Sequence, residues 1–250
     1  MQYFNSLMQS ICSNVAERAR TLQRSEVEKL VREVLRQRLA GQINPPPSHQ
    51  RSIVAPNGGP PHPLVVNVSA RHIHVTQEDL ETLFGPGAQL TKLKDLYQQG
   101  EFASEQLVTL VGPRQRIIPN VRILGPVRNY TQVELSYTDG IYLGIDLPLR
   151  ISGDHRDTPG ILVMGPKGAV QLKQGVIRAQ RHVHMSAEDM AYYGVKDGDD
   201  MKLKIEGPCG LTFEGVKVRY HPKVILEVHI DTDEGNACDL ESATSMELIK

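Results

Sequence analysis

One ten-residue stretch occurs twice. Residues 71–80 read RHIHVTQEDL and residues 181–190 read RHVHMSAEDM. The copies align without a gap, and every substitution between them except Gln77 for Ala187 keeps its chemical type. Each follows an apolar, β-prone run, LVVNVS at 64–69 and GVIRAQ at 175–180. Each then enters a helix start, with Thr76 or Ser186 as N-cap and Asp79 or Asp189 three residues on, where a capping box usually carries Glu or Gln. Each His-x-His therefore ends a strand that feeds a helix. Side chains alternate along a strand, so His72 and His74 share one face, as do His182 and His184. Two neutral imidazoles on one face can grip a transition metal. A lone pair of this kind says little. Its repetition inside a matched decapeptide points to metal binding on a duplicated unit, against a duplicated structural motif that merely carries histidines.

Composition narrows the partners. A formal net charge of −1 over 250 residues gives no basic excess, so nucleic acid is not expected. No apolar run approaches a membrane span, and no secretory signal is visible at the start. The three cysteines, Cys12, Cys209 and Cys238, are scattered and odd in number, which fits a reducing compartment without structural disulfides. None has a sequence neighbour that marks a nucleophile. The glycines form no phosphate-binding fingerprint.

Along the chain, residues 1–41 differ from the rest. Phe4, Leu7, Met8, Ile11, Val15 and Leu22 follow helical spacing, and Val27, Leu30, Val31, Val34, Leu35 and Leu39 follow it more sharply. Ser25 and Glu28 make a capping box, and Gly41 stands where a helix stops. Residues 42–63 hold seven prolines, two glycines and no acidic residue, a linker composition that favours extended backbone. An amphipathic helix on such a linker must cover its apolar face elsewhere. Its mixed-sign polar face lacks Trp, so a protein partner fits better than lipid.

The folded body is expected from about Pro63. A short helical region runs to about Tyr97, and strands are expected at 106–112, 116–125, 131–145, 160–165, 169–181, 201–207, 211–220 and 223–230. Gly-Pro pairs at 112–113, 125–126, 165–166 and 207–208 mark turns. Short strands with regular turns predict small β-barrels, and two decapeptides predict two related halves capped by short helices. The polar segment 232–250 reads as a loose tail. Among single residues, His229 alternates with Val228 and Ile230 and shares a face with Glu227. Glu134 lies in a strand, and Arg128 in the turn before it. Spacing alone leaves each open between solvation and ligation. His49, His62, His155 and His221 suggest no role.

Four motifs in order, RHIHVT, GPVRNYTQVELS, SGDHRDTPG and RHVHMS, resemble the PduL-type phosphate propanoyltransferases, the phosphotransacylases of bacterial microcompartments. The resemblance covers residues 64–231. It implies conversion of a short-chain acyl-CoA, propanoyl-CoA or a close relative, and phosphate to acyl phosphate and coenzyme A, reversibly. It implies a mainly β fold of two barrels capped by short helices, one inserted in the other. On that pattern residues 64–75 and 176–231 form the first barrel, and 76–175 the inserted one. It implies two zinc ions per subunit, one on His72, His74 and Glu134, the other on His182, His184 and His229. Arg128 matches the family's phosphate-binding arginine. A homodimer is implied as well. EVEKLVREVLRQRL at 26–39 resembles the encapsulation peptides that carry enzymes into the microcompartment lumen, through contact with shell or other cargo. Three protein ligands per zinc leave an open position, as catalytic zinc requires. Two other readings fit the same residues: a metal-dependent acyl-CoA hydrolase that needs no phosphate, and a non-enzymatic metal-binding scaffold.

Overall fold

A computed structural model describes the backbone of residues 51–53 and the whole of residues 61–250. The expected helix over 1–41 and most of the linker lie outside the described residues. The described part belongs to one unit spanning His49–Lys250.

Sixteen strands and four short α-helices are described. In chain order they are β1 (Arg51–Ile53), β2 (Leu64–Ser69), β3 (His72–His74), α1 (Gln77–Phe84), β4 (Lys92–Asp95), β5 (Phe102–Val111) and β6 (Ile117–Gly125). Next come β7 (Gln132–Glu134), α2 (Tyr137–Leu143), β8 (Leu149–Arg150), β9 (Leu162–Met164), β10 (Ala169–Gln171) and β11 (Val176–Ala179). The chain ends with β12 (His182–Met185), α3 (Ala187–Tyr193), β13 (Asp200–Glu206), β14 (Leu211–Tyr220), β15 (Glu227–Asp231), α4 (Thr232–Ala237) and β16 (Ser245–Ile249). The protein is mainly β with short helices, as expected. Its strands form two curled sheets. One has the order β1-β2-β15-β12-β14-β13-β16, the other β10-β9-β5-β6-β3-β7-β11-β8 with β4 on β5.

The strand patterns explain the sheets. In β13, Met201, Leu203 and Ile205 point inward while Lys202 and Lys204 point out. Each sheet covers its own core. Ile73, Leu80, Leu83, Leu110, Ile123 and Leu143 fill one. Val66, Val183, Met185, Met201, Leu203 and Val228 fill the other. Each such side chain, fully buried, contributes roughly 1.5–3 kcal/mol by area removed from water.

The duplication extends to pairing. Strand β3 lies between β6, parallel, and β7, antiparallel; β11 then runs parallel to β7. Strand β12 lies likewise between β14 and β15, with β2 parallel to β15. The order β6-β3-β7-β11 in one sheet thus matches β14-β12-β15-β2 in the other.

Several expectations are corrected here. The strand before each decapeptide pairs in the opposite sheet from the decapeptide itself. So β3 belongs with residues 76–175 rather than with 64–70, and β11 belongs there too, not with the segment after it. The chain changes sheets at Ala70–Arg71 and at Gln180–Arg181. Residues 131–145 are not one strand: Ser136 accepts from the Asp139 amide, and the Asp139 side chain accepts from the Ser136 amide. This capping box starts α2 and overrides the β-prone Tyr and Ile residues that follow. Nor is 232–250 a loose tail. Asp231 and Glu234 form another capping box for α4, and β16 pairs with β13 while Leu240 and Leu248 enter the core. Residues 51–53 of the expected linker pair with β2. At the linker's end, His62 Nδ1 lies 3.0 Å from Asp189 Oδ1, at the start of α3.

Candidate metal centre

Four strands run directly into helices at β3–α1, β7–α2, β12–α3 and β15–α4. In each, one candidate ligand stands two residues before the N-cap: His74 before Thr76, Glu134 before Ser136, His184 before Ser186, and His229 before Asp231. Between ligand and cap lies a buried apolar residue, Val75, Leu135, Met185 or Ile230. Strand alternation puts that residue into the core and the ligand on the other face. The N-cap then fixes where the strand ends.

Antiparallel pairing completes two groups. His72 stands opposite Glu134, and His182 opposite His229. Ligand atoms of His72, His74 and Glu134 all lie within 4.8 Å of one another, and the same holds for His182, His184 and His229. The structure therefore brings together each set of three that the sequence suggested. His72, His74 and Glu134 are buried, at 6%, 4% and 8% exposure, whereas the second group is half-buried.

The ring nitrogens suit a cation. His72 Nδ1 lies 2.8 Å from the Ala70 carbonyl, and His182 Nδ1 lies 2.8 Å from that of Gln180. A proton on Nδ1 donated to these carbonyls leaves Nε2 bare for a metal, the usual outer support of a ligating histidine. His72 Nε2 points to Glu134, 3.6 Å from Oε2. Among the described residues, the buried histidine nitrogens without a hydrogen-bond partner are His74 Nδ1 and His229 Nε2. One belongs to each group. His229 Nε2 does lie 3.0 Å from Glu227 Oε2, but without the alignment of a hydrogen bond. Buried nitrogens left bare in this way fit a metal ion.

Electrostatics agrees. Burial pushes His74 down to about 2, helped by the nearby His72 and Arg128, with a backbone hydrogen bond at Leu124 opposing. Burial, then His229 and Arg219, brings His184 down to about 3. Burial and the neighbouring His229 and His184 hold His182 well below the ordinary histidine value. These rings are neutral at pH 7, the form that ligates.

Arg128 sits beside the first group. Its amide donates to the Val75 carbonyl at 2.9 Å, next to His74. Its guanidinium reaches Glu101 Oε1 at 3.1 Å and the Tyr130 hydroxyl at 3.2 Å. Glu134 of the first group and His182 and His229 of the second line one small cavity, together with Ser69, Gln180 and Asp231.

Sequence reasoning passed over a second repeat. QVELSYTDG at 132–140 and EVHIDTDEG at 227–235 align without a gap. They hold the third ligand, the cap, the capping acid and a glycine at matched places. The glycine is needed for close approach: a Cβ on Gly140 would stand 2.7 Å from Leu147 Cδ1, and on Gly235 2.6 Å from Val68 Cγ2. The repeat also explains the leading arginine of each decapeptide. Arg71 pairs with Asp139 at 3.1 Å, and Arg181 with Glu234 at 2.6 Å, so each arginine ties the first repeat to the capping acid of the second. His155, which suggested no role, lies 3.0 Å from Gln132 Oε1, behind Glu134.

Comparison with known proteins adds to this geometry. The sequence profile described as phosphate propanoyltransferase matches residues 65–241. A phosphate propanoyltransferase of Planctopirus limnophila is 59% identical over 233 residues, 93% of this chain and 93% of that protein. Those of Thermotoga maritima and Salmonella typhimurium are each 48% identical, over 75% and 72% of this chain and 89% and 85% of theirs.

Proposed function

Because this chain belongs to the phosphate propanoyltransferase family and is a phosphate acyltransferase, we propose that it exchanges phosphate for coenzyme A on propanoyl-CoA or a close relative, reversibly, at the two candidate ligand groups. The observation that carries this reading is the pair of three-ligand groups, with members of both lining one small cavity and a guanidinium beside one of them.

His72, His74 and Glu134 would hold one zinc ion, and His182, His184 and His229 the other. Bound there, zinc supplies Lewis acidity that orients phosphate and draws charge from the thioester carbonyl. The protein supplies the rest. The neutral imidazoles of His74, His182 and His184 need lose no proton to ligate. Arg128 presents a planar fork that suits a phosphate bidentately. Glu101 and Tyr130 hold that fork beside His74, so an incoming phosphate meets an oriented group but must share it with a carboxylate. The reaction forms one C–O bond, between a phosphate oxygen and the acyl carbon, and breaks one C–S bond, and the proton that phosphate gives up ends on the departing thiolate. It needs no acyl-enzyme, and the Cys238 thiol is buried in a hydrophobic core, where it donates to the Gly235 carbonyl.

Residues 1–41 act as a targeting segment that places the enzyme in the lumen of a bacterial microcompartment. The amphipathic pattern and the Pro-rich segment after it support this. The active enzyme is a homodimer on this reading. No helix among the described residues is long and apolar enough to cross a membrane.

The test is thiol release from propanoyl-CoA by zinc-loaded protein, with and without phosphate, and with acyl phosphate measured in parallel. Phosphate-dependent release with matching acyl phosphate is expected. Release that ignores phosphate would mean a hydrolase. Absence of release from several acyl-CoAs would return the scaffold reading.

A further inference from the structure

The two candidate groups look unequal in charge. One contains a carboxylate, Glu134, and the other is all histidine. The second repeat shows how the difference is made up. Glu134 is preceded two residues earlier by Gln132, and His229 by Glu227, at matched places in QVE and EVH. Each half therefore has one carboxylate and one neutral residue at these two places, transposed.

Both flanking residues do matching work. Gln132 is fully buried and stands opposite His74. Its amide donates to Glu134 Oε1 at 2.6 Å and to Ser152 Oγ at 2.8 Å, so it holds the ligand carboxylate in place. Glu227 is 2% exposed and stands opposite His184. Its carboxylate accepts from the side-chain amides of Asn67 and Gln98, the latter at 2.5 Å, and lies 3.0 Å from His229 Nε2. Asn67 comes from β2 beside it, opposite His229. Gln98 reaches in from the turn before β5 and also donates to the Ile225 carbonyl at 3.2 Å.

Among the described residues, no Lys or Arg forms an ion pair with Glu227. Its fixed partners are two neutral amides. A buried carboxylate with no cation is costly, because amide dipoles replace only part of the solvation it has lost. The nearest group able to take a cation is the His182, His184 and His229 cluster. Resting on the metal reading above, we propose that Glu227, beside the nitrogen that His229 would give the metal, supplies the negative charge that the all-histidine group lacks, so that the second cation is held only with Glu227 in place. Asn67 and Gln98 hold the carboxylate at that spot.

The test measures metal, not turnover. The full chain is loaded with Zn2+ and titrated against a chromophoric chelator, and bound metal is counted by atomic emission. Two cations are expected on the natural chain. Glu227→Gln keeps size and hydrogen bonding and removes charge. It is expected to keep one tight site and to weaken the other about 10–100-fold, the range for loss of an outer partner of a metal ligand. The double variant Glu227→Gln, His229→Glu recreates the transposed arrangement of the first half and is expected to recover two tight sites. A purely structural role for Glu227 predicts no such recovery. Two unchanged sites in Glu227→Gln, or failure of the double variant to regain the second site while its circular dichroism matches the natural chain, overturns the proposal alone. A natural chain that takes up no cation overturns both the metal reading and this one.

Discussion

Replacing Arg128 by Lys isolates what the guanidinium contributes. Lys keeps the positive charge and the long stem but loses the fork. The fork is now spread over two partners, with Nη2 on Glu101 and Nη1 on the Tyr130 hydroxyl. Its side chain is about a quarter exposed, so its contacts are only partly screened. A bound phosphate that takes two charged hydrogen bonds from Arg128 would keep one from Lys. One hydrogen bond to a charged group is worth about 1.5–3 kcal/mol, and each 1.4 kcal/mol is tenfold. Arg128→Lys should therefore lower kcat/KM for phosphate by about 10- to 150-fold. KM for propanoyl-CoA should move little, since the acyl-CoA is not the group the fork binds. The assay is thiol release at fixed propanoyl-CoA over a range of phosphate concentrations. Tyr130→Phe is the control: it removes one partner of the fork and should cost less than Arg128→Lys. An Arg128→Lys enzyme with the phosphate dependence of the natural enzyme would refute the assignment of phosphate to this residue.

Other outcomes can be stated more briefly. His182→Ala should lose one of two bound zinc ions by atomic emission and abolish acyl transfer; an active variant would sink the ligand assignment. Removing residues 1–41 should leave the transfer rate in dilute solution unchanged, and a loss of rate would place that segment in the catalytic machinery. Leu203→Ala empties a fully buried place in the first sheet and should cost about 2–5 kcal/mol, read as a lowered urea midpoint at unchanged slope. Burial, with Tyr192 and Asp189 nearby, pushes the Tyr193 hydroxyl up to about 12 from its ordinary 10.0. A raised pKa means that the neutral phenol is favoured in the folded state. Its contribution is complete below pH 10 and is lost as pH climbs through the window from 10 to 12. Urea midpoints should fall more steeply across that window in the natural chain than in Tyr193→Phe.

Much of the candidate centre was legible because its residues are local and periodic. His72 and His74 face together by strand alternation alone, and so do His182 and His184. The third members were less visible. Glu134 and His229 lie 60 and 45 residues from their partners, counted from His74 and His184. Nothing local says which strand pairs with which. The signal that would have linked them is the second repeat, which is harder to see because its ligands differ in type. Helix α2 was read as strand because Tyr and Ile favour β-structure. Ser136 and Asp139 outweighed that preference by satisfying the free amides at the helix start.

The sequence by itself determined the local units. Alternation, N-caps and Gly-Pro turns fix where strands end and helices begin, because those choices rest on backbone sterics and on groups a few residues apart. It also determined that the His-x-His motif is duplicated. Only the tertiary structure decided that the chain switches sheets just before each decapeptide, that β3 meets β7 and β12 meets β15, and that members of both ligand groups line one small cavity. Those outcomes depend on which apolar faces can be buried together and on Arg71–Asp139 and Arg181–Glu234 crossing between repeats. Such contacts join residues more than 50 positions apart, and no short window of sequence contains both partners.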